Sequence, residues 1–278
     1  MMNIFTSVVS YDNDTSVAHS YYIKPMIKSL MLSNSDNEIN LYIICDPISK
    51  SIVQDFLKND CNLKAKVHIK YVDNTLFEKY GRDIRHESWQ AAIYYKIFIS
   101  FLFTNIDKFF WLDYDTLITI DLNELYNTDI SEVNVYGFSD IELMENNTPF
   151  INTGVVLFNS KKFRDDFTLE NVIAIFKEAL FTSEIPFLLL NTKIKLENNI
   201  FYNYPGILNR HFHVLPSCDD TKSVLLYAAR FSKIIHFYVK DTDNKGEILM
   251  YLFEGNSFLK SHKNELLPYL KNVFNFLS

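Results

Sequence analysis

The chain has 278 residues, 48% of them hydrophobic and 22% charged, and its formal net charge is -7 at pH 7. This apolar content excludes an intrinsically disordered chain and is enough for one large core, or for one core with a small appendage. The acidic balance argues against a nucleic-acid-binding protein, because such proteins need a basic surface that neutralises phosphates.

The cysteines and the amino-terminal residues indicate a location. Cys45, Cys61 and Cys218 fit no metal or redox spacing, so we expect ordinary thiols in a reducing cytosol. Residues 1–10 lack the pattern of a signal peptide. The most apolar run, 91–103, is shorter than the ~20 residues that a membrane span needs. We therefore expect a cytoplasmic protein.

The first part of the chain alternates strand patterns with helical patterns. Strands that alternate with helices form parallel βαβ units, so the sequence predicts an α/β fold with a mostly parallel sheet. Pro25 is expected to break the first helix. The predicted elements are strand 3–10, polar loop 11–16, helix 17–31, strand 41–44, helix 51–58 and strand 66–72.

An uninterrupted apolar run, Phe109 to Leu112, precedes two aspartates. Such a run is typical of a strand buried on both faces at the centre of a parallel sheet. Asp113 and Asp115 follow it, and in an extended chain their side chains point the same way with Cα atoms roughly 6.5 Å apart. They could hold one hard cation at the carboxyl end of the sheet, where such sheets bind ligands. A helix cap or a solvated turn is the competing interpretation.

Only six glycines are present, and they form no glycine-rich phosphate loop of the dinucleotide or nucleoside-triphosphatase type. Any phosphate group must therefore be held by a metal ion and by side chains.

Sequence blocks on both sides of the aspartates favour the ligand-binding interpretation. They are Ala-Ile-Tyr-Tyr-Lys-Ile-Phe-Ile at 92–99, Ile-Asp-Lys at 106–108, Asp-Leu-Asn-Glu-Leu-Tyr at 121–126 and Phe-Ile-Asn-Thr-Gly-Val-Val-Leu-Phe-Asn-Ser-Lys-Lys-Phe at 150–163. In order and spacing, these blocks resemble glycosyltransferase family 8, which includes bacterial lipopolysaccharide galactosyltransferases and glycogenin. The resemblance covers most of residues 82–163.

This resemblance implies a GT-A-like fold. It corresponds to a single domain at 1–245, with a mostly parallel central sheet flanked by helices, and a short helical appendage at 246–278. The implied activity is the metal-dependent, retaining transfer of a hexose from a nucleotide-diphosphate sugar, with UDP as the expected nucleotide, to a saccharide or glycolipid acceptor. Such transfers build lipopolysaccharide or surface glycans. The expected cofactor is Mn²⁺ or Mg²⁺, since carboxylates suit these ions.

The resemblance also implies roles for individual residues, position by position. The implied metal ligands are Asp113, Asp115 and His236. The implied donor contacts are Tyr11, Lys96, Asp113, Tyr114, Asp115, Asn152 and Lys240, and the implied catalytic residues are Asp140, Asn152 and Glu184. An amide such as that of Asn152 suits sugar hydroxyls, because it both donates and accepts hydrogen bonds.

Several positions depart from the family pattern. Lys96 stands where arginine is usual, which keeps the charge but loses the bidentate fork, and a lysine on a helix is otherwise typical of a solvated face. Glu184 takes the place of the usual glutamine, between Ser183 and Ile185 instead of two acids. The family's Lys-Pro-Trp after the histidine is also missing.

The third metal ligand has competitors. A histidine in an apolar strand, such as His236, is more often a core residue than a ligand, and only the resemblance reverses that preference. His211 and His213 are the alternatives.

The last residues of the chain predict an amphipathic helix. Leu266, Leu267, Leu270, Val273, Phe274 and Leu277 recur at helical spacing. Packing on the core is one role for this face. Peripheral contact with the inner face of a membrane is the other, and it would suit a lipid-linked acceptor.

Two other functions compete with sugar transfer. Asp-x-Asp after an apolar strand also opens the site of haloacid-dehalogenase-type phosphatases, although that family carries the motif near the start of its domain. A nucleotide-sugar-binding module without catalytic activity would account for the missing family acids.

Overall fold

The computed structural model describes residues 1–8, 13–45, 47–60, 65–71, 90–139, 151–178, 194–197, 201–203, 226, 229–230, 232–236 and 245–276. Its strands are β1 Met2–Val8, β2 Ile39–Cys45, β3 Lys66–Tyr71, β4 Lys108–Leu112, β5 Thr116–Ile118, β6 Val135–Ser139, β7 Ile151–Asn159, β8 Ile194–Glu197, β9 Phe201–Asn203 and β10 Ile234–His236. Its helices are α1 Asn13–Ser33, α2 Pro47–Asp60, α3 Gln90–Leu102, α4 Asn123–Tyr126, α5 Ser160–Asp166, α6 Leu169–Glu178, α7 Lys245–Gly255, α8 Ser257–Ser261 and α9 Lys263–Phe276.

Most of these strands form one large sheet, in the order β3-β2-β1-β4-β7-β6-β8. Neighbours run parallel except around β7, which is antiparallel to both β4 and β6. The predicted α/β class with a mostly parallel sheet is confirmed. The apolar run of β4 is typical of the centre of a parallel sheet, yet its neighbour β7 is antiparallel, because such a run reports burial on both faces and not strand direction.

The side chains of β4 alternate between two cores. Phe109 and Trp111 belong to a cluster with apolar residues of α3, α5 and α6, whereas Phe110 and Leu112 belong to a cluster with those of α1 and α2. All four are at most 1% exposed. The large sheet is therefore covered by helices on both faces, and the carboxyl end of β4 opens at its edge.

Helix α1 differs from the prediction at its start and its middle. It begins at Asn13, inside the predicted loop, and it continues through Pro25. The residues around the proline are buried, with Ile23, Met26 and Leu30 at most 1% exposed. Burial of this apolar face outweighs the loss of one backbone hydrogen bond at the proline, which is why the helix does not end there.

A small second sheet has the order β5-β10-β9. Strand β10 is antiparallel to β5 and parallel to β9. Leu117 of β5 and Ile235 of β10 share a buried cluster with α7, α8 and α9, whose members are Leu249, Leu252, Phe253, Leu259, Leu266 and Leu270. The carboxyl-terminal helices therefore pack on the protein through this face.

Leu266 and Leu270 are fully buried, so they are not free to contact a membrane. This removes two of the apolar residues on which the membrane interpretation of α9 depends. None of the described helices combines the length and the apolar content needed to cross a bilayer. A peripheral contact through other residues of the helix stays a prediction, as does the division of the chain at residue 245.

Candidate functional site

The two aspartates lie in the short connection between β4 and β5. The backbone N–H of Asp113 donates to the carbonyl oxygen of Gly154 at 2.7 Å, and the Thr116 hydroxyl donates to the carbonyl oxygen of Asp113 at 2.8 Å. The chain turns here and does not continue as an extended strand. The expected extended geometry is therefore wrong, since this turn, and not strand alternation, sets the directions of the two side chains.

The turn and the small sheet bring three potential ligands together. His236 lies opposite Thr116 in the β10–β5 pairing, next to Asp115. Its Nε2 atom is 3.0 Å from Asp115 Oδ1 and 3.8 Å from Asp113 Oδ2. One ligand atom from each of Asp113, Asp115 and His236 can be chosen so that all three lie within 4.8 Å of one another. Within the described ranges, this is the one group of three or more acidic, histidine or cysteine side chains that could hold a metal ion.

Gly154 on β7 leaves the space that this group occupies. A Cβ atom at this position would lie 2.7 Å from His236 Nδ1 and 2.8 Å from Asp113 Oδ2. Both distances are too short for an ordinary contact. Because glycine lacks a Cβ atom, other groups can approach its backbone closely. In the structure it is the side chains of His236 and Asp113 that approach the glycine.

Lys96 of α3 lies behind Asp113. Its side chain is 1% exposed, and its ammonium group is 3.4 Å from Asp113 Oδ1. It also donates to the carbonyl oxygen of Thr153 at 2.8 Å and to the Thr153 hydroxyl at 3.2 Å. The solvated-face alternative for Lys96 is therefore wrong. Its predicted contact with a donor stays a prediction.

Trp111 completes the surroundings of Asp113. Its indole N–H donates to Asp113 Oδ1, and the Lys96 ammonium lies 5.3 Å from the centre of a Trp111 ring. Sequence reasoning missed both Trp111 and Thr153. The available signal for Trp111 was its position in the apolar run that directly precedes Asp113.

Charge and burial shift two pKa values at the site. Burial by itself would lower the pKa of His236, but the negative charge of Asp115, a hydrogen bond with Asp115 and the charge of Asp113 together outweigh it and raise that pKa. Burial, with a smaller contribution from Asp115, raises the pKa of the Tyr22 hydroxyl. The Tyr22 ring packs edge-on against Tyr114, with 5.9 Å between the ring centres. Tyr114, which lies between the two aspartates in the sequence, thus contacts α1.

Some predicted site residues lie outside the described residues: Tyr11, Asp140, Glu184 and Lys240, together with the competitors His211 and His213. Asn152 lies on β7, where its backbone is opposite Phe138. The structure thus brings together Lys96, Asp113, Asp115 and His236, and it leaves the relation of the others to them as a prediction.

Comparison with known proteins gives three kinds of match. The profile of glycosyl transferase family 8 matches residues 15–242. Glycosyltransferase GlyF of Streptococcus pneumoniae serotype 4 is 22% identical over 166 residues, which are 58% of this chain and 40% of GlyF. This chain therefore aligns with less than half the length of that relative.

Two solved structures are similar over nearly the whole chain. The galactosyltransferase LgtC, in complex with donor and acceptor sugar analogues, gives a TM-score of 0.64 at 16% identity and covers 95% of this chain and 100% of its own. Glycosyltransferase GlyE of Streptococcus pneumoniae TIGR4 gives a TM-score of 0.61 at 16% identity and covers 99% of this chain and 63% of its own. At these identities the likeness concerns the fold, and it confirms the expected GT-A-like class.

Proposed function

We propose that this chain, which belongs to glycosyl transferase family 8, transfers a hexose from a UDP-sugar to a saccharide or glycolipid acceptor with retention of the anomeric configuration. The family membership disfavours the phosphatase alternative. The proposal depends above all on one observation, the grouping of Asp113, Asp115 and His236 at the carboxyl end of β4. Ligands of α/β sheets bind at this end of the strands.

The three candidate ligands fit a divalent cation. The two carboxylates suit Mn²⁺ or Mg²⁺, and the imidazole favours Mn²⁺, because Mg²⁺ prefers oxygen ligands. Ligand atoms that share one Mg²⁺ ion, with bonds of about 2.1 Å, lie at most about 4.2 Å apart. The spread of up to 4.8 Å therefore needs only a small closing movement. Gly154 supports the same assignment, because it leaves room for His236 and Asp113 beside each other.

The chemistry proposed for the site is removal of a nucleoside diphosphate from a sugar. A bound divalent ion would act as a Lewis acid that neutralises the negative charge on the departing diphosphate. Asp113, Asp115 and His236 would hold that ion through one atom each. Lys240 is assigned to the diphosphate, since an ammonium group stabilises such a leaving group by its charge.

The remaining residues are assigned to the donor. Loss of the diphosphate leaves positive charge on the sugar, and we assign Asp140, Asn152 and Glu184 to orient the sugar and stabilise that charge. Tyr11 and Tyr114 are assigned to the nucleotide. For Tyr114 the supporting contact is the packing of its ring against Tyr22, which fixes it beside the candidate metal ligands.

The use of a sugar donor and a sugar acceptor is inferred by analogy, and UDP as the nucleotide is part of the proposal. The LgtC structure carries donor and acceptor sugar analogues, and its fold matches 95% of the residues of the present chain. A glycolipid acceptor and a role in lipopolysaccharide or surface-glycan synthesis are parts of the same proposal, as is peripheral contact with a membrane.

A ligand-stabilisation screen tests the proposal. Ligands that bind the native state raise the unfolding temperature by mass action. We expect UDP and one UDP-hexose to raise it in the presence of Mn²⁺ and not in the presence of a chelator. Asp115→Asn should abolish that rise, whereas Asp165→Asn, in an exposed Lys161–Asp165 ion pair on α5, should retain it.

Transfer itself is measured with the radiolabelled donor that gives the largest shift. Labelled product on a saccharide or glycolipid acceptor, with the anomeric configuration retained, is the expected result. Binding of the donor without transfer to any member of an acceptor panel would favour the non-catalytic binding module. No response to any nucleotide sugar with Mn²⁺ would contradict the proposal as a whole.

A further inference from the structure

The two oxygens of the Asp113 carboxylate have different surroundings. Oδ1 accepts a hydrogen bond from the Trp111 indole and lies 3.4 Å from the Lys96 ammonium. Oδ2 is the oxygen that lies 3.8 Å from His236 Nε2, and it would be 2.8 Å from a Cβ atom added to Gly154. Oδ1 thus contacts buried protein groups, and Oδ2 faces the candidate metal site.

The groups behind Oδ1 are held rigidly. Trp111 and Lys96 are each 1% exposed. The Lys96 ammonium is fixed by the carbonyl oxygen and the hydroxyl of Thr153, at 2.8 and 3.2 Å, so its contact with Asp113 is the longest of the three. Trp111 is fixed by its place in the apolar cluster that covers one face of β4. In this position its N–H donates to Asp113 Oδ1.

An aspartate carboxylate rotates easily, because its terminal torsion has a broad and nearly two-fold profile. Asp113 side-chain atoms are 27% exposed, so packing alone does not stop that rotation. The buried ammonium of Lys96 attracts both oxygens. Without a further donor, the carboxylate plane could rotate part of the way and share both oxygens with Lys96, so that neither oxygen is aimed at His236.

We propose that Trp111 is a positioning residue for the metal site, and that its indole N–H holds Oδ1 of Asp113 so that Oδ2 faces the cation. This inference rests on the proposed function, since it assumes that Asp113 is a metal ligand. Trp111 acts through Asp113 and does not touch the ion or the donor. Lys96 is its fixed neighbour and compensates part of the negative charge of the two aspartates.

Trp111→Phe tests the inference, because phenylalanine keeps an aromatic ring in the core and lacks the N–H. The measurement is titration of the full-length chain with Mn²⁺ alone, by calorimetry, with no nucleotide or acceptor present. Loss of a hydrogen bond to a metal ligand typically weakens metal affinity by about 10–100-fold. We expect a loss in this range, together with a changed electron paramagnetic resonance spectrum of the bound Mn²⁺.

Phe109→Leu is the matched control. Phe109 is on the same strand and in the same apolar cluster as Trp111, and the residue is fully buried. Its truncation should lower the unfolding temperature and leave the Mn²⁺ affinity at the wild-type value. If Phe109→Leu weakens Mn²⁺ binding as much as Trp111→Phe does, the effect comes from packing and the inference is wrong.

A second substitution removes the N–H without changing the shape of the side chain. β-(3-Benzothienyl)alanine at position 111 replaces the N–H by sulfur and keeps the two fused rings, so folding is preserved even if Trp111→Phe unfolds. It should weaken Mn²⁺ binding to the same extent. Wild-type affinity in this variant would overturn the positioning role. A wild-type protein that binds Mn²⁺ neither alone nor in the presence of UDP would instead contradict the proposed function, so the two failures are distinguishable.

Discussion

At the scale of single residues, the site depends on buried residues that lie against Asp113 and come from different parts of the chain. Lys96 comes from α3 and Gly154 from β7, and each approaches the aspartate from its own side. His236 comes from β10 and approaches Asp115 more closely than Asp113. Substitutions of residues that do not contact the ion should therefore still change the proposed affinity for the metal.

The choice of His236 over His211 and His213 can be tested directly. His236→Ala removes an imidazole 3.0 Å from Asp115 Oδ1, and we expect it to weaken Mn²⁺ binding by more than the roughly 10–100-fold typical of a residue that only supports a ligand. His211→Ala and His213→Ala serve as controls, each measured by the same Mn²⁺ titration. A larger loss in either control would transfer the third ligand to that histidine.

Gly154→Ala should disturb two ligands with one methyl group. The added carbon would lie within 3 Å of both His236 Nδ1 and Asp113 Oδ2, so these side chains must move apart. We expect Mn²⁺ affinity to fall by about 10–100-fold and stability by about 1–3 kcal/mol from overpacking. Calorimetry and denaturant unfolding measure the two effects.

Leu157→Phe is the matching control for Gly154→Ala. It overpacks the same strand within the apolar cluster on the opposite face of the sheet, where Leu157 is fully buried. It should lower stability and leave Mn²⁺ affinity unchanged. Equal metal affinities in Gly154→Ala and wild type would show that the glycine is not needed for the arrangement of the ligands.

At the scale of elements, the small sheet connects the site to the carboxyl-terminal helices. Leu117 lies two residues after Asp115, and Ile235 lies directly before His236. Both pack in one buried cluster with α7, α8 and α9. The helices predicted as an appendage therefore support β5, which directly follows Asp115, and β10, which carries His236.

Leu270→Ala on α9 tests this support. Leu270 is fully buried, and truncating a buried leucine costs about 2–5 kcal/mol. We expect a lower unfolding temperature and faster amide hydrogen exchange in β5 and β10, because these strands lose part of their packing. Lys271→Ala, at the next and exposed position, should change neither. Unchanged exchange in β5 and β10 in Leu270→Ala would count against the supporting role.

At the scale of the whole molecule, the site lies where the two sheets meet. The chain leaves the large sheet at Leu112 and enters the small sheet at Thr116, and the candidate aspartates lie between these residues. His236 belongs to the small sheet and Gly154 to the large one. An ion bound here would link the two sheets.

Hydrogen exchange with and without Mn²⁺ should reveal that link. A ligand that binds only the folded arrangement of its site stabilises that site against local unfolding. We therefore expect slower exchange in β5 and β10 when Mn²⁺ is present. Strand β3, at the far edge of the large sheet, should exchange at the same rate in both conditions. Protection spread evenly over both sheets would indicate general stabilisation and contradict a local link.

Patterns within short stretches of sequence were sufficient to predict much of this protein. The apolar run before Asp113 predicted the buried strand β4, and alternating strand and helix patterns predicted the mostly parallel sheet. The motifs around the aspartates identified the family, which the match to residues 15–242 confirms. These features depend on the period of a strand or a helix and on motif spacing, so they are visible in the sequence without knowledge of long-range contacts.

Only the tertiary structure decided the surroundings of the aspartates. The bond from Lys96 to Thr153 joins residues 57 positions apart, and no local pattern distinguishes such a lysine from one on a solvated face. The continuity of α1 through Pro25 depends on the core that buries it, and the reversed direction of β7 depends on its neighbours in the sheet. In each case the deciding free energy comes from burial and hydrogen bonds between distant segments, which exist only once the chain has folded.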